Sequence, residues 1–233
     1  MAKQGKKYLA VAEKLAAGAE YSVEEAISFL KDNPTANFDE TMEIAFRMGV
    51  DPTKSDQAIR STVALPNGTG KDVRIIVFAT GEAAEAARAA GAMEVGFEDL
   101  IAKVMGGWTD FDAAVATPDA MKEVRKAARV LGPRGLMPNP KTGTVTADTA
   151  SAVKQLQAGR VEFRMDRHGN VLVPFGKRSF EVAALAENCK AIIEALNAAR
   201  PAAAKGTYIK RCTISSTMGP GLQVVNREYA TAL

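Results

Sequence analysis

Hydrophobic and polar positions change their period several times along the chain, and each change predicts a different element. Between Tyr21 and Asn33, Ala26, Ile27, Phe29 and Leu30 recur at helical spacing behind Ser22, with Glu25 three residues after that serine. Serine and glutamate at this interval satisfy the first free amides of a helix reciprocally, so a helix is expected to start at Ser22 and end near Pro34. Thr41–Val50 then alternates, with Met42, Ile44, Phe46 and Met48 on one side and Thr41, Glu43, Ala45 and Arg47 on the other. That period of two predicts a half-buried strand, and Thr62–Leu65 reads as a second one.

The texture changes after the turn Pro66-Asn67-Gly68-Thr69-Gly70. Val73–Ala79 is almost continuously apolar, the pattern of a strand covered on both faces. Helices at Glu82–Ala90, Phe97–Met105 and Pro118–Val130 alternate with strands at Met93–Val95 and Ala113–Ala116, which implies βαβ units around a parallel sheet. A helix over Thr149–Gln157 leads to Gly159. Beyond it, Val161–Arg164 and Val171–Val173 are expected to pair as a hairpin across Asp166–Asn170. An amphipathic helix, Ser179–Ala199, and a strand, Cys212–Ser216, follow. The expected architecture is an α+β domain built from both chain ends, residues 1–67 and 160–233, with a Rossmann-like α/β domain inserted at 68–159. Two closely spaced chain crossings between them would form a hinge.

Composition narrows the possibilities. A chain of 233 residues that is 47% hydrophobic can bury two ordinary cores. No apolar run approaches the roughly 18–20 residues that cross a bilayer, and the first seven residues lack the apolar centre of an export signal, so a cytoplasmic protein with no membrane partner is expected. Cys189 and Cys212 stand far apart with no metal-binding spacing, which suits inert thiols in a reducing compartment. The formal charge of +3 is unevenly spread: −2 over residues 1–67, zero over 68–159 and +5 over 160–233. The last third is therefore the part suited to a polyanion.

The sequence holds no set of residues suited to bond-making chemistry. His168 is the single histidine and falls in a predicted turn, away from any nucleophile or metal-ligand set. Asn67-Gly68-Thr69-Gly70-Lys71 resembles a phosphate loop, but a strand follows it where such a loop needs a helix. The carboxylate pairs Glu98/Asp99 and Asp110/Asp112 are placed near helix ends, where dipole complementation accounts for them. No catalytic residue, metal site or cofactor is expected, and binding is the better class of function. A small ligand at the strand ends of the insert, or a partner surface on the Ser179–Ala199 helix, would be the alternatives.

Two segments carry a binding signal. Leu131–Thr144 holds three prolines and three glycines, and Arg134 and Lys141 within it can meet phosphates, although an ordinary long loop explains it as well. Lys205–Gly221 joins cations, including Lys205 and Lys210, to hydroxyls such as Ser216 and a glycine turn. Cations neutralise phosphates, hydroxyls bond to ribose and phosphate oxygens, and glycine lets the backbone approach a nucleotide. A plainer reading makes this a strand ending in a turn with Met218 in the core. Arg164, in the predicted hairpin, is a further candidate cation.

These two segments, with Asn37-Phe38-Asp39-Glu40-Thr41 and Gly49–Gln57, resemble the universal family of large-subunit ribosomal protein number one, over essentially the whole chain. The resemblance implies a two-domain, non-enzymatic protein of the mobile stalk beside the tRNA exit site. It would be a monomer when free and associated with ribosomes in the cytoplasm. Its implied partners are the stalk helices of large-subunit ribosomal RNA, exit-site tRNA whose release it assists, and the messenger of its own operon, which it represses. By position, Thr217, Met218 and Gly219 match the family's RNA-contacting triad, and Phe38, Glu40 and Thr41 its first RNA-facing segment. Asn37 departs from the lysine that many bacterial members carry there, which puts one phosphate contact in doubt. Ala58 and Ser61 stand where asparagine and glycine are frequent.

Overall fold

The computed structural model describes residues 5–16 and 18–229, with the side chains of residues 55 and 141 left out. In chain order its regular elements are α1 (Lys6–Ala12), β1 (Glu20–Tyr21), α2 (Val23–Asp32), β2 (Thr41–Met48), β3 (Arg60–Ala64), β4 (Ile75–Phe78), α3 (Glu82–Ala89) and β5 (Glu94–Gly96). Then come α4 (Glu98–Met105), β6 (Ala113–Ala116), α5 (Met121–Val124), α6 (Ala128–Leu131), α7 (Thr149–Gln157), β7 (Arg160–Arg164), β8 (Asn170–Lys177), α8 (Val182–Ala198), β9 (Ile209–Ser216) and β10 (Leu222–Val224). They sort into two compact units. Residues up to Gly70 and from Val161 onward form the first, and Lys71–Arg160 the second.

In the first unit a five-stranded sheet runs β1-β10-β9-β2-β8. The central strand β2 is antiparallel to both β8 and β9, and its alternation sends Met42, Ile44, Phe46 and Met48 into the core. Helices α2 and α8 cover that face. Ser22 and Glu25 form the capping box expected of them, and Val23, Ala26, Ile27 and Leu30 are the buried stripe of α2. Leu185, Cys189, Ile192 and Leu196 fill the same core from α8, so that helix is an internal packing element. The buried Asn188 side chain donates to the carbonyls of Gly68 and Phe175 at 3.0 and 2.8 Å and accepts the Asn67 amide at 3.0 Å. One side chain thus supplies hydrogen-bond partners to a loop that has no strand to pair with.

The expected hairpin does not form. Strand β7 pairs with β3, β8 pairs with β2, and only an isolated bridge, Met165 to Val171, joins the two segments around the Asp166–Asn170 turn. Long-range partners on β2 and β3 outcompete the local one because each gives its strand an apolar neighbour in the core. The turn itself is held by Asp166, whose Oδ1 accepts the amides of His168 and Asn170 at 2.8 Å each, leaving His168 exposed.

In the second unit the parallel sheet has the order β5-β4-β6. All four residues of β4 are buried, with Ile76 and Phe78 packing on the side of α4, α5 and α6, and Ile75 and Val77 on the side of α3 and α7. The helix expected over Pro118–Val130 begins only at Met121 and tightens to a 3₁₀ turn at Arg125–Ala127. Asp112 lies before β6, where it was expected to serve a helix end. Its carboxylate is instead bonded to Lys71 Nζ at 2.7 Å and Arg74 Nε at 3.0 Å. The Lys71 contact first, then Arg74, hold its pKa down to about 2.

Candidate nucleic-acid interface

A buried carboxylate organises the two matched segments. Glu40 is fully buried, and its Oε1 accepts hydrogen bonds from Thr35 Oγ1 at 2.9 Å, Ser216 Oγ at 3.3 Å and the amide of Met218 at 3.1 Å. A buried carboxylate persists only where donors converge on it. Here they come from the loop before β2, the end of β9 and the turn after it, so one side chain fixes all of them. Its other oxygen, Oε2, has no partner among the described residues.

Thr217 continues the register between β2 and β9. Its amide donates to the Thr41 carbonyl at 3.0 Å, and its Oγ1 accepts the Thr41 amide at 3.0 Å. Lys177 Nζ donates to Thr41 Oγ1 at 2.9 Å. Just upstream, the Asp39 carboxylate accepts the Ser179 amide and hydroxyl at 3.0 and 2.8 Å, and Arg178 donates its amide to the Glu40 carbonyl at 2.9 Å. Residues 39–41 are thereby held on two sides.

Rigid support allows the neighbouring large side chains to stay in solvent. Phe38 is 54% exposed and Met218 57% exposed, which removes Met218 from the core position that was its plainer reading. Gly219 is needed for close approach: a Cβ there would stand 2.4 Å from Ser216 Oγ. Exposed Phe38, Thr217 and Met218 with half-buried Thr41 make a mixed surface of ring face, hydroxyl and thioether, the chemistry that stacks on and hydrogen-bonds to unpaired nucleotides.

Two residues of the matched segments are buried. Glu40 and Ser216 face inward and bond to each other, so they position the surface without forming it. Lys205, Lys210 and Arg164 are exposed on the first unit. Arg134 belongs to the second unit, where its guanidinium donates to Thr109 Oγ1, and the Lys141 side chain lies outside the described residues. Lys7, Arg47 and Arg211 were not singled out from sequence. Lys7 lies in the lysine-bearing N-terminal stretch, which carries no motif of its own, and the arginines occupy outward positions of strands.

The sequence matches the ribosomal protein L1p/L10e family over residues 30–220, most of the chain and both clusters of the interface. The chain belongs to that family. As a ribosomal protein L1p/L10e member it is a structural, non-enzymatic component of the large subunit that binds ribosomal RNA and is associated with ribosomes in the cytoplasm. Among the described residues, no helix is long and apolar enough to cross a membrane, and no group of three or more His, Cys, Asp or Glu gathers at metal-binding distance.

Proposed function

We propose that the first unit binds the stalk helices of large-subunit ribosomal RNA through Phe38, Thr41, Thr217, Met218 and the glycine turn at Gly219. The observation that carries this reading is the Glu40 carboxylate, which ties the two segments into one surface while Phe38 and Met218 stay exposed. An exposed aromatic and thioether on a rigid mount suit contact with RNA bases, and the cations around them suit phosphates. Lys7 supplies one such cation beside Asn37, where the resemblance leads one to expect lysine.

From that site the protein, a monomer when free, assists release of deacylated tRNA from the exit site. It also represses its own messenger by binding, with the same surface, a segment that imitates the ribosomal one. A chemical footprint on large-subunit RNA, with and without exit-site tRNA, tests the target and the stalk role together. Protection is expected in the stalk helices and is expected to change when tRNA is present. Competition by the leader of its own messenger, set against an unrelated duplex at equal salt, tests the repression. A footprint elsewhere, or competition no better than that of the unrelated duplex, would remove the respective reading.

A further inference from the structure

Away from the Glu40 cluster, the open face of the five-stranded sheet carries two arginines that physical stability alone does not explain. Arg47 on β2 and Arg211 on β9 are register partners in the antiparallel pair, so their side chains stand opposite one another on the same face. Like charges directly opposite across a ladder are destabilising. Both residues are exposed, and neither has a carboxylate within ion-pair distance among the described residues.

Each guanidinium is held instead by a neutral amide. Arg47 Nη1 donates to Asn170 Oδ1 at 3.3 Å, and Arg211 donates from Nε and Nη2 to Gln223 Oε1 at 3.0 and 2.6 Å. Acids stand one step removed: Glu20 accepts from the far side of the Gln223 amide at 2.7 Å and Asp166 from the far side of the Asn170 amide at 3.1 Å, while Glu43 lies two pleats along β2. Amide acceptors orient a guanidinium without neutralising it, which keeps its remaining donors available to an anion.

The backbone concentrates more charge at the same spot. The register of β2 against β9 slips after Arg47, so that Met48 pairs with Ile209 and Lys210 becomes the extra residue of a β-bulge. Two successive β9 residues, Lys210 and Arg211, are therefore exposed where a regular strand would bury one. Arg47, Arg211, Asn170, Leu172 and Thr213 line a shallow cleft here.

We propose that Arg47 and Arg211 form a second phosphate clamp, which grips the backbone of the same ribosomal RNA that the Phe38 and Thr217–Gly219 surface reads. This deepens the reading given above and rests on it. Five residue steps of strand lead from Arg211 to Ser216, roughly 17 Å at about 3.3 Å per residue. One nucleotide does not span that length, so the clamp and the Met218 turn hold separate points of a folded RNA, and the distance between them selects its shape.

The test uses the full-length protein, a ribosomal RNA fragment containing the stalk helices, and binding measured across a series of salt concentrations, with thermal melting of each variant. Arg47→Gln and Arg211→Gln are each expected to weaken binding several-fold and to lower the steepness of the log–log salt dependence by about one, and the double variant by about two. Melting temperatures should hold or rise, because an opposed like-charge pair has been removed. Arg211→Lys keeps the charge and should keep the salt slope. Unchanged affinity and slope in both glutamine variants would overturn the clamp, and so would a lysine variant that loses as much as glutamine. If the unaltered protein shows no preference for the stalk fragment over an unrelated duplex, the stalk reading itself fails and takes the named partner with it.

Discussion

The ammonium of Lys7, in the first turn of α1, donates to Oδ1 of Asn37 at 3.1 Å. Asparagine at 37 therefore does not leave the loop before Phe38 without a cation; it receives one from an element that sequence places thirty residues away.

That relationship predicts a compensating pair. Lys7→Ala should reduce affinity for the stalk RNA and lower the salt slope by about one. Adding Asn37→Lys to the same chain should restore both. Affinity that falls with Lys7→Ala and fails to recover in the double variant would mean that the lysine acts elsewhere.

Glu40 and Phe38 are adjacent in sequence to the same aspartate but should separate cleanly by experiment. Phe38→Ala removes a half-exposed ring and is expected to weaken RNA binding by about 1–3 kcal/mol with the melting temperature nearly unchanged. Glu40→Ala strands the donors of Thr35, Ser216 and Met218 in a buried site and should destabilise the first unit by about 1–3 kcal/mol. Chemical denaturation beside RNA titration distinguishes the two.

Gly219→Ala should behave as a displacement of the Met218 turn. The added methyl would stand 2.4 Å from Ser216 Oγ and push that hydroxyl away from Glu40. Weaker RNA binding with a modest loss of stability is expected, and pairing it with Ser216→Ala, which clears the space, should recover part of the binding. No recovery would place the effect of the glycine in contact with RNA instead.

Asp112 gives the second unit an acid-sensitive element. Its folded pKa, about 2, lies below the ordinary 3.8, so its contribution is fully present above that ordinary value and is lost as pH falls from 3.8 toward 2. Asp112→Asn should be less stable than the unaltered protein at neutral pH, with the difference shrinking across that window. A difference that stays constant down to pH 2 would show that the ion pairs with Lys71 and Arg74 do not stabilise the unit.

Local chemistry was legible in sequence where it is self-contained. The capping box of Ser22 and Glu25, the alternation along β2 and the two-faced burial of β4 depend on neighbours a few residues away, and each took the form its pattern predicts. Pairings between distant segments were not legible. The joining of β7 to β3, and the burial of Glu40 within a polar stretch, depend on partners 100 residues or more along the chain, such as Glu162 for Arg60 and Met218 for Glu40. The opposed arginines were hidden for a related reason, since the register that sets them face to face exists only once β2 and β9 have met.

The interleaving of the first unit fixes the order in which the molecule becomes competent during synthesis. Lys71–Arg160 is one continuous stretch and can fold as soon as it leaves the exit tunnel, whereas β2 waits for β8 and then β9 to complete its sheet. Thr217, Met218 and Gly219 follow β9, so the surface they share with Phe38 and Thr41 through Glu40 forms only once residues 209–219 have been made.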